Sequence, residues 1–338
     1  MSVVVPARDE RASIGACLES LLIQRGADLD VLVADDGSTD GTGALVEQFA
    51  RRDPRVRRLE VPPLPPGWLG KNHAVDFAAR RARGEWLLLT DADTVHEPDS
   101  LQWALRTAQD EGLDLLSLSP RQELGSWIEK AVVPRVYREL ERLYRFEEIN
   151  RPDREAAAAN GQYILVRRRV WEAVGGHAAV RGEILEDVAL ARAVKDAGYR
   201  LHFASGRGLV RTRMYRNARS LWEGWTKNLY PLFGRRAGDV LRTAAGIWLL
   251  DVLPLAALLS GRMGLPARAA AAGWLAGRHA RYAARLRAAG EPAPLALYYW
   301  PGSVLFSLLL LDSLRKHRLG RAVGWKGREY RAAQVSPR

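Results

Sequence analysis

The chain has 338 residues, 47% of them hydrophobic and 27% charged, with 51 Lys and Arg against 39 Asp and Glu and a single cysteine. That length holds one large domain or two smaller ones, and the composition excludes a disordered chain, a disulfide framework and a cysteine-rich metal site. The formal charge of +12 suggests a nucleic-acid binder, but the excess is local: residues 262–338 carry a net +11 and residues 1–261 a net +1, which argues against a generic nucleic-acid-binding domain.

The first 120 residues alternate between strand and helix patterns. Residues 2–7 (SVVVPA) form a continuous apolar run, as a strand covered on both faces requires, and no secretory leader is expected there. Ile14, Leu18, Leu21 and Leu22 share one helical face. A second buried strand spans 30–37, with Ser38 or Thr39 expected to cap the helix after it, and a third strand covers 56–61. A Pro-rich loop at 61–70 precedes a helix from about Asn72 to Arg83. Strands follow at 85–93 and 113–120. Residues 124–148 read as an amphipathic helix packed on the sheet, 147–159 as a mobile polar stretch, 160–168 as a strand, and 183–198 as a helix with an acidic start and a glycine stop. The pattern predicts an α/β fold with an open, mostly parallel sheet, whose ligands bind beyond the C-terminal strand ends. After Arg242 the texture becomes Ala/Leu-rich segments flanked by arginines, so the expected division is a catalytic domain over 1–240 and a helical region over 241–338.

Acidic residues cluster at those strand ends. Asp91 and Asp93, one residue apart after an apolar strand, suit a hard divalent cation, which takes one or two carboxylates and completes its shell with phosphate oxygens. Asp35 and Asp36 are placed to accept hydrogen bonds from a base or ribose, or else belong to an ordinary strand-to-helix turn. Glu186 and Asp187 open a helix, where either is a helix-terminal charge or a general base. The six histidines show no metal-ligand spacing, and neither G-x-G-x-x-G nor G-x-S-x-G occurs.

In order, VVVPARDE, DDGSTD, GKNHA at 70–74, TDAD at 90–93 and LED at 185–187 resemble the family 2 glycosyltransferases of the GT-A fold. GWLGKNHA, NGQYILVRR, ILEDVALA, RMYRNARSLWEGWTKN and WKGREY are similar to the hopene-associated and carotenoid (diaponeurosporenoate-type) members. The resemblance covers about residues 2–230. It implies a donor site made of Pro6, Asp35, Asp36, Lys71 and Asp91, with Arg213, Arg216 and Lys227 near the diphosphate. It implies Mg²⁺ or Mn²⁺ on Asp93 and Asp91, and Asp187 as catalytic base with Glu186 beside it. Asn160, Gly161, Gln162, Trp222 and Trp225 fall on the acceptor side. The activity implied is inverting transfer of a sugar, glucose foremost, from a nucleotide sugar such as a UDP-sugar to a lipid or terpenoid acceptor. The Q-x-x-R-W box of processive synthases is absent, which points to a single transfer. Competing readings are a polyprenyl-phosphate or surface-polysaccharide glycosyltransferase and a non-catalytic nucleotide-sugar-binding adaptor.

Residues 243–261 and 293–311 approach the ~20 residues of a membrane span, the first holding only Asp251 and the second interrupted by Pro301 and Gly302. Positive charge normally stays cytoplasmic. Two simple spans would export the arginines between 262 and 287, and three would export those after 315. Re-entrant or in-plane helices are therefore expected for at least one segment, 293–311 foremost, with the catalytic body at the cytoplasmic face. The basic tail then meets anionic lipid at about 1 kcal/mol per charge.

Overall fold

The computed structural model describes residues 1–26, 28–320, 323–326 and 328–330. The end of the basic tail, and Gly327 within WKGREY, lie outside them. The chain divides into two compact units. One comprises residues 1–123, 144–214 and 326–338, the other 124–143 and 215–325. This differs from the expected boundary at residue 240, because the helices that share an apolar face with 237–318 begin earlier and include one from the middle of the chain.

The first unit is built on a seven-stranded sheet in the spatial order Val56–Glu60, Asp30–Asp35, Ser2–Ala7, Trp86–Leu89, Ile164–Arg167, Leu115–Ser119, Leu201–Ser205. Only Ile164–Arg167 runs antiparallel to its two neighbours. Successive side chains of a strand face opposite ways, and both faces here are apolar. Val3, Val5, Val31, Val33, Trp86 and Leu88 pack on helices Ile14–Leu22, Thr42–Arg52 and Ser100–Asp110. Val4, Leu32, Ala34, Leu87 and Leu89 pack on Gly70–Ala79 and Glu186–Asp196. The central strands Ser2–Ala7, Asp30–Asp35 and Trp86–Leu89 are therefore uninterrupted apolar runs that turn polar where they leave the sheet. A second sheet joins Thr94–His96, Val210–Thr212 and Arg121–Gln122.

Two local expectations change. Neither Ser38 nor Thr39 caps the helix that follows. It starts at Thr42 after Gly41, whose φ of 93° only glycine adopts easily, and Asp40 accepts hydrogen bonds from the Thr42 N–H and hydroxyl. The stretch 147–159 is anchored. Lys195 Nζ donates to the carbonyls of Ile149 (2.7 Å) and Ala156 (2.6 Å), and Ala158 and Ala159 are buried in the core.

In the second unit, helix Trp127–Leu143 opens with a reciprocal cap in which the Ser126 N–H donates to the Glu129 carboxylate and the Glu129 N–H to Ser126 Oγ. It packs on helix Tyr299–Arg318, with the Arg135 guanidinium over the Phe306 ring. A side chain at Gly302 would run into the Ala131 carbonyl, so the two backbones meet there. Pro301 and Gly302 fall in the first turn of a continuous helix and do not break it.

Proline inside a helix frees the carbonyl four residues earlier. At Pro231 that carbonyl is Lys227, which pairs with His317 Nε2 at 2.9 Å, and in the π-helical turn Trp248–Val252 the Leu250 carbonyl accepts from Trp274 Nε1 at 2.9 Å. Asp251, the lone acid of its apolar segment, is fully buried and accepts from the Arg278 guanidinium and the Tyr299 hydroxyl. Among the described residues, Ala237–Leu259 and Ala293–Arg318 are long and apolar enough to cross a membrane, by length and composition. Leu249, Leu253 and Leu259 of the first segment are exposed.

Candidate active site

Three strand ends and one helix start build the site, all within the first unit. Strand Ser2–Ala7 supplies Pro6; strand Trp86–Leu89 runs out into Thr90 and Asp91; strand Ile164–Arg167 is entered through Gly161; helix Glu186–Asp196 begins with Glu186 and Asp187. These residues line one cavity together with Lys71 and His177. An apolar strand ends where its side chains no longer meet covering helices, and there backbone and carboxylates become available to a ligand.

Lys71 is the hub. Its Nζ lies 2.8 Å from Asp91 Oδ1 and 2.7 Å from Glu186 Oε1. Burial works against its charge, but Asp91, Glu186 and Asp187 overturn that and hold the ammonium well above the usual lysine range. Asp187 accepts the Gly161 N–H at 2.9 Å and the Val188 N–H at 2.8 Å. Burial, then the charge of Glu186, pushes its carboxyl up to about 6, with Lys71 and the two N–H groups opposing. Glycine at 161 follows from crowding: a Cβ would sit 2.9 Å from Lys71 Nζ and 3.3 Å from Glu186 Oε1.

Asp93 presents a buried Oδ1 with no hydrogen-bond partner. Burial and the nearby charges of Asp91 and Glu10 push it up to about 7, with Lys326 and Lys71 opposing. No cluster of three or more His, Cys, Asp or Glu is arranged for a metal among the described residues. An orphaned carboxylate oxygen beside a second carboxylate nevertheless fits a cation that draws most of its ligands from phosphate and water.

Other expected residues have different surroundings. Asp35 has both oxygens engaged within the protein, Oδ2 by Arg58 at 2.7 and 3.0 Å and Oδ1 by the Ser38 N–H at 3.0 Å. It ties the second strand to Arg58 of the neighbouring edge strand. The neighbouring Asp36 is also buried. Gln162 is buried behind the site, its amide donating to Thr212 Oγ1, which in turn donates to the Asp93 carbonyl. Asn160 Oδ1 accepts the Gln162 N–H. Both therefore shape the turn that presents Gly161. Arg213 belongs to the first unit. Arg216, Trp222, Trp225 and Lys227 belong to the second. There Trp222 Nε1 donates to Asp312 at 2.9 Å, and Trp225 is buried against Tyr137 and Tyr215. Trp225 is thus a packing residue of the helical unit.

His177 was not among the expected site residues. Trp171 Nε1 donates to its Nδ1 at 3.1 Å, which leaves the proton on Nε2, and burial holds its pKa down at about 4. Nothing in the local sequence separates it from the other five histidines, since its partner stands on a different short helix.

The sequence model of Glycosyl transferase family 2 matches residues 2–175, more than half of the chain. The chain belongs to glycosyltransferase family 2. It is 26% identical to 4,4'-diaponeurosporenoate glycosyltransferase of Staphylococcus aureus over 98% of its own length and 88% of that protein's. Among solved structures, the mannosyltransferase PcManGT from Pyrobaculum calidifontis, in complex with GDP-Man and Mn²⁺, superposes with a TM-score of 0.58, covering 93% of this chain and 86% of that one at 23% identity. The first unit has the GT-A fold, and apolar helices follow it towards the C-terminus. The candidate site comprises a Lys71-centred carboxylate cluster, Asp93 with its orphaned Oδ1, and a doubly hydrogen-bonded Asp187.

Proposed function

We propose that this family 2 enzyme is an inverting glycosyltransferase that moves a sugar, glucose foremost, from a nucleoside-diphosphate donor to a hydrophobic terpenoid or lipid acceptor at a membrane. The observation that carries the reading is Asp187, a carboxylate raised to about 6 yet held in place by two backbone N–H groups within a cavity. Such a group is ionised near neutral pH and basic enough to take a proton. Asp187 removes the proton of an acceptor hydroxyl as that oxygen attacks the anomeric carbon. The bond from that carbon to the donor phosphate oxygen breaks from the opposite side, and the electron pair leaves with the nucleoside diphosphate. A carboxyl acceptor would attack in the same geometry.

Asp93 and Asp91 would hold Mg²⁺ or Mn²⁺, which when bound offsets charge on the diphosphate. Lys71 pairs with Asp91 and Glu186 and holds them in place. The solved neighbour's GDP-Man and Mn²⁺ support a nucleotide sugar and a divalent ion as a class. The name of the Staphylococcus relative supports a carotenoid-type acceptor. The exposed leucines of Ala237–Leu259 support membrane contact, and the basic residues after 262 support a cytoplasmic face.

Comparative lipid mass spectrometry of cells with and without the gene is the direct test. Loss of one hexosylated lipid or terpenoid is expected. Unchanged glycolipids with an altered surface polysaccharide would refute the acceptor. Reporter fusions after Arg287 and at Arg338 test the orientation, and an exported Arg338 would refute it.

A further inference from the structure

The terminal W-K-G-R-E-Y segment returns to the catalytic unit. Lys326 lies between the short strands Val323–Trp325 and Arg328–Tyr330 and belongs to the first unit, although more than a hundred residues separate it from the preceding part of that unit. Its carbonyl accepts from Arg8 Nε at 3.1 Å. Its ammonium contacts the Asp9 carbonyl at 3.4 Å and forms an ion pair with Glu10. Arg8 also donates to the Asp36 carbonyl. Lys326 is thus fastened to the loop after the first strand, and through Arg8 to the loop after the second.

Those two loops are laced to each other. The Asp9 N–H donates to Ser38 Oγ, the Thr39 N–H to Asp9 Oδ1, the Glu10 N–H to Thr42 Oγ1 and the Arg11 N–H to Asp40 Oδ2. Lys326 itself has a φ of 47°, a left-handed conformation that glycine or asparagine adopts more easily. At such a position the backbone gains nothing from lysine, so the side chain is what distinguishes it there from glycine. Its charge is felt at Asp93, where it and Lys71 are the cations offsetting Asp91 and Glu10. Lys71 is already shared between Asp91 and Glu186.

We propose that Lys326 is a diphosphate-binding residue, its ammonium exchanging Glu10 for the phosphate oxygens of the donor. The proposal rests on the nucleotide-sugar reading above. It also gives one cation of the basic tail a task other than meeting lipid.

Binding of UDP and GDP, each with Mn²⁺, is measured by calorimetry on the full-length detergent-solubilised protein, alongside the donor KM. Lys326→Met is expected to weaken the nucleoside diphosphate that binds wild type by about tenfold to a hundredfold. Affinity for the matching nucleoside, which lacks phosphate, and acceptor KM should stay unchanged. Lys326→Arg should recover most of the loss, and Glu10→Gln, which releases Lys326, should not weaken diphosphate binding. A Lys326→Met protein that melts as wild type and binds the diphosphate equally well would overturn the proposal. So would equal losses of melting temperature in Lys326→Met and Glu10→Gln without any change in binding. Wild type that binds neither diphosphate would overturn the nucleotide-sugar reading itself, and this proposal with it.

Discussion

Replacing Asp187 by Asn separates what this carboxylate does for the fold from what it does for the reaction. An acid whose folded-state pKa exceeds its unfolded value binds its proton more tightly when folded. Its contribution favours the folded state below the ordinary value of 3.8 and declines as pH rises through about 6. At about 1.4 kcal/mol per pH unit, the ionised carboxylate costs the ligand-free protein about 3 kcal/mol at pH 8. Asn carries no such charge. The Gly161 and Val188 N–H bonds already lower this carboxyl's pKa, so the cost at pH 8 is net of them, and at pH 4 the protonated acid and the amide each offer those groups one good acceptor oxygen. Asn therefore resembles the protonated acid and escapes the cost of the ionised one. Urea unfolding at the two pH values is expected to show Asp187→Asn close to wild type at pH 4 and about 3 kcal/mol more stable at pH 8. Transfer, assayed by labelled hexose entering the lipid phase, should fall by about 10²–10⁴-fold at every pH. Wild-type turnover should itself drop as pH falls through about 6. Turnover within tenfold of wild type, or a stability gap independent of pH, would refute the assignment.

Gly161→Ala should push Lys71 away from its two carboxylates and reduce transfer more than a hundredfold with little change in melting temperature. Intact transfer would show that the contact is not needed. Asp93→Asn should remove the restoration of activity by Mn²⁺ after chelation and leave the fold intact, because Asp93 Oδ1 has no hydrogen bond to lose; this is read by metal titration and circular dichroism. Trp274→Phe keeps the ring but strips the N–H from the Leu250 carbonyl, and should cost about 1–3 kcal/mol in a detergent unfolding series. An unchanged midpoint would mean that another donor covers that carbonyl.

The sheet was legible because its strands are covered on both faces. Residues 3–5, 31–34 and 86–89 are continuous apolar runs, and Asp91, Glu186 and Asp187 line the cavity where a strand ends or a helix starts. Asp35 looked equivalent to them. Its difference is Arg58, 23 positions away on the neighbouring strand, a distance that local reading does not bridge. Trp225 and Gln162 are alike in this, since the side chains that enclose them stand far away in the sequence. The helix at 127–143 has an amphipathic pattern that says it is covered without saying by what. His177 depends on Trp171, and Lys326 on a loop at the opposite end of the chain.

Helix Trp127–Leu143 packs on Tyr299–Arg318, and that pairing has a consequence for how the protein is made. At about 5–20 residues per second, a ribosome needs roughly ten to thirty seconds to pass from the end of the first helix to the end of the second. During that interval Val132, Val133 and Val136, buried in the finished protein, lack the helix against which this one chiefly packs. The nascent chain must keep this stretch on a membrane surface or a chaperone until the C-terminal helix arrives. Truncation at residue 240 would make that interval permanent, and yield an aggregating fragment where a soluble catalytic domain was intended.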